Sequence, residues 1–291
     1  MFEPAGTHRG TVLVHGATAT PQRYYAPFAA ALATHGFRMV TYDYRGIGAS
    51  RPTSLGGLSA TMTDWALKDA RAMHRYVAGE LGEDRVAIIG HSFGGQLLGL
   101  VDEARDVAGA LLVGAQFGYV GNFPAPRRYG LGLVLRAVPL FTAAFGFLPG
   151  ETGIGEDLPR GVAEEWSRWC LTEDYYVTEH PDALGRLAGY DRPVRLYRFT
   201  DDAFAPRRAV EALTSRLGTT TDVRRVSPRD HGGRPIGHFG FFRPRFRKTL
   251  WQESTDYLGA ILAGRTPRPG AGRLGIEEAD VLADLTRHGW G

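Results

Sequence analysis

Two hydrophobic periods alternate along most of the chain and predict two kinds of element. Thr11–Val14, Arg38–Tyr42, Val86–Ile89, Ala108–Val113, Val194–Phe199 and Thr221–Val226 are short apolar runs. They are rich in Val, Ile and Leu and alternate only weakly, the pattern of strands buried on both faces. Tyr24–Thr34, Asp64–Leu81, Phe93–Val101 and Pro206–Leu217 have helical spacing and lie between these runs, and Lys248–Leu262 follows the last of them. Strand and helix in regular alternation predict an α/β fold, a mostly parallel sheet flanked by helices.

The alternation breaks between Gln116 and Tyr190, where aromatic residues accumulate and no strand pattern is visible. This stretch reads as a helical cap inserted over the C-terminal edge of the sheet. The expected organisation is a core of residues 1–115 and 191–263, a cap of 116–190, and a linker with a tail helix over 264–291. The tail contains a helix-like segment, Ile276–Leu285, behind a Pro/Gly/Arg-rich linker. Tyr129–Pro149 is apolar enough to raise the question of a membrane span. Arg136 and Pro139 interrupt its middle, so it reads as a pair of buried helices.

Composition narrows the function classes. A hydrophobic content of 43% with 22% charged residues is that of a globular chain. The net charge is only +3 and the arginines are scattered, which argues against a nucleic-acid partner. A lone cysteine, Cys170, cannot form an internal disulfide and reads as a buried packing residue. The first residues lack the basic start and apolar core of a signal peptide, so the expected location is cytoplasmic.

The chemistry is concentrated at Gly90-His91-Ser92-Phe93-Gly94-Gly95, between the run Val86–Ile89 and a helical segment. A serine on a sharp strand-to-helix turn needs small residues two positions to either side, because the backbone there is crowded. The turn lifts Ser92 Oγ out of the sheet and sets the Phe93 N–H at the positive end of the helix. A second strand ends in His15-Gly16-Ala17, and the Ala17 N–H is expected to join that of Phe93 as an oxyanion hole. His15 itself reads as a turn-stabilising residue.

A nucleophilic serine also needs a base and an acid that orients it. Val194–Phe199 runs into Thr200-Asp201-Asp202, and the later loop carries His231 and His238. Asp202 is preferred to Asp201, which would cap the turn. His238 lies among small and apolar residues and is preferred to His231, which sits in a polar run. No phosphate-binding loop, dinucleotide fingerprint or metal-ligand spacing is present, so neither cofactor nor metal is expected.

The motifs Leu13-Val14-His15-Gly16, Tyr42-Asp43-Tyr44-Arg45-Gly46-Ile47-Gly48-Ala49-Ser50, Gly90-His91-Ser92-Phe93-Gly94-Gly95 and Gly237-His238-Phe239-Gly240 resemble the α/β-hydrolase superfamily. The likeness is greatest to a bacterial branch similar to serine aminopeptidases and monoglyceride lipases, which Glu156-Asp157-Leu158-Pro159 and Trp166-Ser167-Arg168-Trp169-Cys170 also resemble. It implies the machinery of a serine hydrolase, and the aromatic insert points to a small apolar substrate bearing a carboxylic ester, thioester or lactone. Ser92, Asp202 and His238 would be catalytic, and Trp166, Trp169 and Tyr176 would form the substrate wall. An acyltransferase, lyase or cyclase on the same residues is the alternative, and a catalytically inactive binding protein a remoter one. Family members usually begin with an antiparallel hairpin, and here only ten residues precede Thr11. The edge strand Arg38–Tyr42 would then need a cover, either a second copy in a homodimer or the tail.

Overall fold

The computed structural model describes residues 1–153, 155–265 and 267. Each of the six apolar runs is a strand: Gly10–His15 (β1), Phe37–Thr41 (β2), Val86–His91 (β3), Gly109–Val113 (β4), Val194–Phe199 (β7) and Thr221–Val226 (β8). β5 and β6 are two short strands, Phe147–Leu148 and Leu158–Pro159, that pair antiparallel within the segment joining β4 to β7. The main sheet has the order β2-β1-β3-β4-β7-β8, with every neighbouring pair parallel.

The period of two along each strand divides the apolar residues between two faces. In β4, Ala110 and Leu112 face a core with Trp65, Phe93 and Leu97, while Leu111 and Val113 face one with Phe28, Phe37 and Trp251. Ala26–Ala33 (α1) and Gln252–Leu262 (α8) cover the second face. The helical run 62–80 (α2) and Phe93–Leu100 (α3) cover the first. Thr61 caps α2 by accepting a hydrogen bond from the Asp64 N–H at 3.0 Å.

Part of the outer edge of β2 is covered by residues at the start of the chain. Phe2 pairs antiparallel with Met39, the Phe2 N–H donating to the Met39 carbonyl at 2.9 Å and the Met39 N–H returning a bond of 3.0 Å. A few residues at the start of the chain therefore satisfy part of the edge. The tail segment Ile276–Leu285 lies outside the described residues. At the opposite edge, β8 carries Asp222, Arg224 and Arg225, charges that discourage edge-to-edge pairing.

Among its described residues the segment between β4 and β7 holds three α-helices: Arg127–Phe145 (α4), Arg160–Leu171 (α5) and Asp182–Ala188 (α6). The β5–β6 pair corrects the expectation of a strand-free insert. α4 corrects a second expectation, since it is one helix and not a buried pair. Pro139 lies inside it, costing one intrahelical bond that the flanking turns outlast. Only Gly132, Leu135, Val138 and Thr142 of α4 are buried, a narrow stripe at helical spacing. Glu165 of α5 fastens the insert to the core by accepting from the Thr63 N–H and hydroxyl at 2.7 and 2.9 Å. Arg207–Thr214 (α7) follows β7. Among the described residues no helix is long and apolar enough to cross a membrane.

Candidate active site

β3 keeps its pairing with β4 through Gly90 and His91 and then stops, so the chain turns at Ser92 directly into α3. Ser92 has φ +53° and ψ −115°, a conformation that costs an L-residue and persists only where its surroundings impose it. Two close approaches explain the glycines on either side. A Cβ on Gly90 would lie 2.6 Å from Gly95 Cα, and one on Gly94 would lie 2.1 Å from the His15 carbonyl oxygen. Phe93 opens α3, and its N–H belongs to the first turn, where intrahelical acceptors are missing.

Asp202 follows the C-terminal end of β7. Its Oδ1 accepts from the Phe204 N–H at 2.7 Å and the Ala205 N–H at 3.0 Å, and Oδ2 lies 2.8 Å from His238 Nδ1. A carboxylate held by two main-chain donors has one oxygen left for the ring. It therefore places the imidazole proton on Nδ1 and leaves the Nε2 lone pair for the pocket. Asp201 points elsewhere. Its Oδ2 accepts from the Ile236 N–H at 2.8 Å and pins the loop that carries His238. His231 lies away from the pocket, its ring edge-on to Phe246 at 5.7 Å.

Ser92, Phe93 and His238 line one pocket with Ala17 and Thr18, a space of about 760 Å³ including its open mouth. Its walls are mostly apolar: Phe123, Leu131, Leu135, Trp166, Phe204 and Phe239. Gln96, Gln116, Tyr175 and Cys170 supply the polar groups, and Arg127 stands among the lining residues. Burial pushes the Cys170 thiol up to about 12, so it lines the pocket as a neutral group.

The structure brings Trp166 to the wall, but not Trp169 or Tyr176. Trp169 is 1% exposed and packs on Tyr175, Tyr176 and His180. Tyr176 turns toward α3, where its hydroxyl would lie 2.8 Å from a Cβ on Gly99. Its neighbour Tyr175, with φ +53°, faces the pocket instead, a one-residue exchange that no periodicity signals. Gln96 is the residue most open to prediction among those missed, because it lies one helical turn beyond Ser92. Phe204 and Arg127 carry no such signal.

Ala17 is at the pocket, but its N–H is not vacant. It donates to the Tyr25 hydroxyl at 2.8 Å, and that hydroxyl also lies 2.8 Å from His91 Nδ1. His15 is fully buried, with Nδ1 2.7 Å from the Tyr42 hydroxyl and Nε2 3.1 Å from His74 Nε2. Burial, and then the neighbouring His74, hold its pKa well below the usual imidazole range. Among the described residues no cluster of His, Cys, Asp and Glu is arranged to hold a metal ion.

A parallel sheet with a strained serine turn at its C-terminal edge, and a histidine–carboxylate pair beside it, defines an α/β hydrolase. Within that class the chain belongs to the family described as serine aminopeptidase, S33, whose model matches residues 6–151. Solved structures repeat the fold at low identity. A soluble variant of monoglyceride lipase from Saccharomyces cerevisiae is 13% identical, with 89% of this chain and 90% of that one covered and a TM-score of 0.65. A monoacylglycerol lipase from Paleococcus ferrophilus is 15% identical, with 89% and 97% covered and a TM-score of 0.59. A thermophilic esterase from Thermogutta terrifontis is 18% identical, with 89% and 92% covered and a TM-score of 0.57. A comparison with curated proteins finds no match.

Proposed function

We propose that the protein is a serine hydrolase that cleaves a carboxylic ester, thioester or lactone of a small apolar substrate through an acyl-enzyme at Ser92. The observation that carries this reading is the Asp202–His238 contact of 2.8 Å in the pocket that Ser92 also lines. His238 Nε2 takes the Ser92 proton as Oγ attacks the acyl carbon, and Asp202 stabilises the imidazolium. The oxyanion is received at the Phe93 N–H. Its second donor comes from the loop after β1. The Ala17 N–H serves there once Tyr25 releases it, and Thr18 is the neighbouring pocket residue. His238 then returns its proton to the leaving group, and water activated by the same nitrogen releases the acid.

The apolar walls match an apolar acyl group or ring, and the segment 116–190 acts as a cap over it. Esters and lipids named for the structural relatives are consistent with that chemistry. The test is reaction with a fluorophosphonate followed by peptide mapping. One adduct is expected, on Ser92, lost in Ser92→Ala together with turnover of short-chain nitrophenyl esters. Labelling of a different residue, or full turnover in Ser92→Ala, overturns the reading. Labelled Ser92 with acyl transfer but no hydrolysis would favour the acyltransferase alternative.

A further inference from the structure

Building on the hydrolase reading above, we propose that Gln96 is a specificity residue. The substrate it selects carries a neutral hydrogen-bond donor, a hydroxyl or an amide N–H, a few bonds from the carbonyl that Ser92 attacks. Gln96 is 2% exposed and lines the pocket, and its Oε1 meets no hydrogen-bond donor among the described residues. Other buried polar atoms share that condition, the Tyr190 and Tyr197 hydroxyls among them, but none of their residues lines the pocket. A buried acceptor left unpaired costs stability, and in a pocket wall the group that can pair it is the ligand.

The orientation of the amide is fixed by its neighbours. Gln96 Nε2 lies 2.8 Å from the Gln116 main-chain oxygen and 3.4 Å from Gln116 Oε1. A main-chain oxygen only accepts, so the nitrogen faces it and Oε1 turns the other way. Gln116 is held in turn, its Nε2 donating to the Phe204 carbonyl at 3.4 Å. Gln96 stands one turn after Ser92 on α3, about 6 Å along the axis and on the same side. Tyr175, at φ +53°, sets its hydroxyl beside Gln96 and Cys170 without closing a hydrogen bond on Oε1. These groups form one polar corner in a pocket otherwise walled by residues such as Phe123, Leu131 and Leu135.

Charge decides which donor fits. The described residues lining the pocket include Arg127 and no carboxylate, so an ammonium such as a peptide N-terminus would meet a cation and no counter-ion. A neutral amide oxygen answers a neutral donor. A plain alkyl chain in this corner would leave Oε1 unpaired, and a site built for a hydroxyl or N–H rejects its analogue for that reason. The class selected is therefore a hydroxylated or amide-bearing ester, apolar elsewhere.

The experiment compares kcat/KM for matched esters in the wild type and in Gln96→Met, which keeps the length of the side chain and removes the acceptor. Methyl hexanoates with a hydroxyl on the second, third or sixth carbon are each paired with their methyl ethers. 2-Hydroxyethyl hexanoate is paired with 2-methoxyethyl hexanoate, and N-butanoylglycine methyl ester with its N-methyl derivative. At least one donor-bearing ester should exceed its blocked partner by about tenfold in the wild type, and Gln96→Met should erase most of that ratio. The responding pair places the donor in the acyl part or in the leaving group. No preference in any pair, or a preference that Gln96→Met leaves intact, overturns the proposal. Should Gln96→Met fail to fold, Gln96→Asn withdraws the same amide by one methylene and should lower the ratio as well. Affinities of the same pairs for Ser92→Ala, by titration calorimetry, read Gln96 without turnover. Donor preference there in a chain that hydrolyses no ester strikes the catalytic reading alone. Equal affinities, with every pair turned over equally by the wild type, strike this proposal alone.

Discussion

His91 Nε2 lies 2.9 Å from the main-chain oxygen of His238, and this contact sets the direction of a buried chain of hydrogen bonds. A carbonyl can only accept, so the His91 proton is on Nε2 and Nδ1 is an acceptor. Burial holds the His91 pKa well below the usual range, so the ring is neutral. The Tyr25 hydroxyl must then donate to Nδ1, which leaves its oxygen to accept the Ala17 N–H. The residue before the nucleophile thus ties the loop of the proposed base to the loop after β1.

Tyr25→Phe should destabilise the fold. It leaves the Ala17 N–H and His91 Nδ1 without a partner in a site where Tyr25 is 1% exposed. Each orphaned group costs about 1–3 kcal/mol. Urea unfolding should show a lower midpoint at an unchanged slope, and an unaltered midpoint would mean that these hydrogen bonds add nothing to stability.

The two adjacent aspartates should separate cleanly in kinetics. Asp202→Asn disturbs the acceptor of the His238 ring proton, and comparable changes cost on the order of 10⁴ in kcat. Asp201→Asn keeps an oxygen able to accept the Ile236 N–H and should retain most turnover. A larger loss in the Asp201 variant would exchange their roles.

Stability should fall between pH 6.5 and 4 through the buried imidazoles. Burial lowers His74 from 6.5 to about 4, with Glu103 and then Asp106 opposing the shift, and His15 is lowered in the same direction. The unfolded chain takes up a proton at each histidine first, so the stabilisation present above pH 6.5 drains away as pH falls through this window. For His74 the difference amounts to about 3 kcal/mol at the acid end, from a shift of 6.5 to about 4. Urea unfolding at several pH values should show a shallower dependence in His74→Asn, and identical slopes would count against it.

Cys170 should be chemically silent in the native protein. A thiol pushed up to about 12 is almost wholly protonated near neutrality, although the residue lines the pocket. Iodoacetamide at pH 8 should modify it only after denaturant is added, and Cys170→Ala should retain ester turnover. Rapid alkylation of the native protein would contradict this.

The strands were legible because their signal is local. An apolar run of four to six residues buried on both faces needs no knowledge of its neighbours, and all six runs became strands of one sheet. The serine turn was legible for a similar reason, since Gly90, Ser92 and Gly94 are adjacent and their constraint is the backbone between them. The insert was less transparent. Apolar content in Tyr129–Pro149 suggested burial, but which side of a helix meets the core depends on what is packed there, and α4 left six large apolar residues outside.

Contacts between distant segments were decided only by the fold. Two aspartates side by side in sequence are nearly equivalent until one meets His238 and the other meets Ile236. The Ala17 N–H read as a free donor because nothing near it in sequence announces Tyr25 as its acceptor. Tyr175 and Tyr176 are indistinguishable as letters and both are buried, yet the first, at positive φ, lines the pocket and the second packs toward α3. Local period and backbone sterics act over a few residues and are written in the chain. Partner choice among buried polar groups is settled where helices and strands converge, and the tertiary structure alone supplies that.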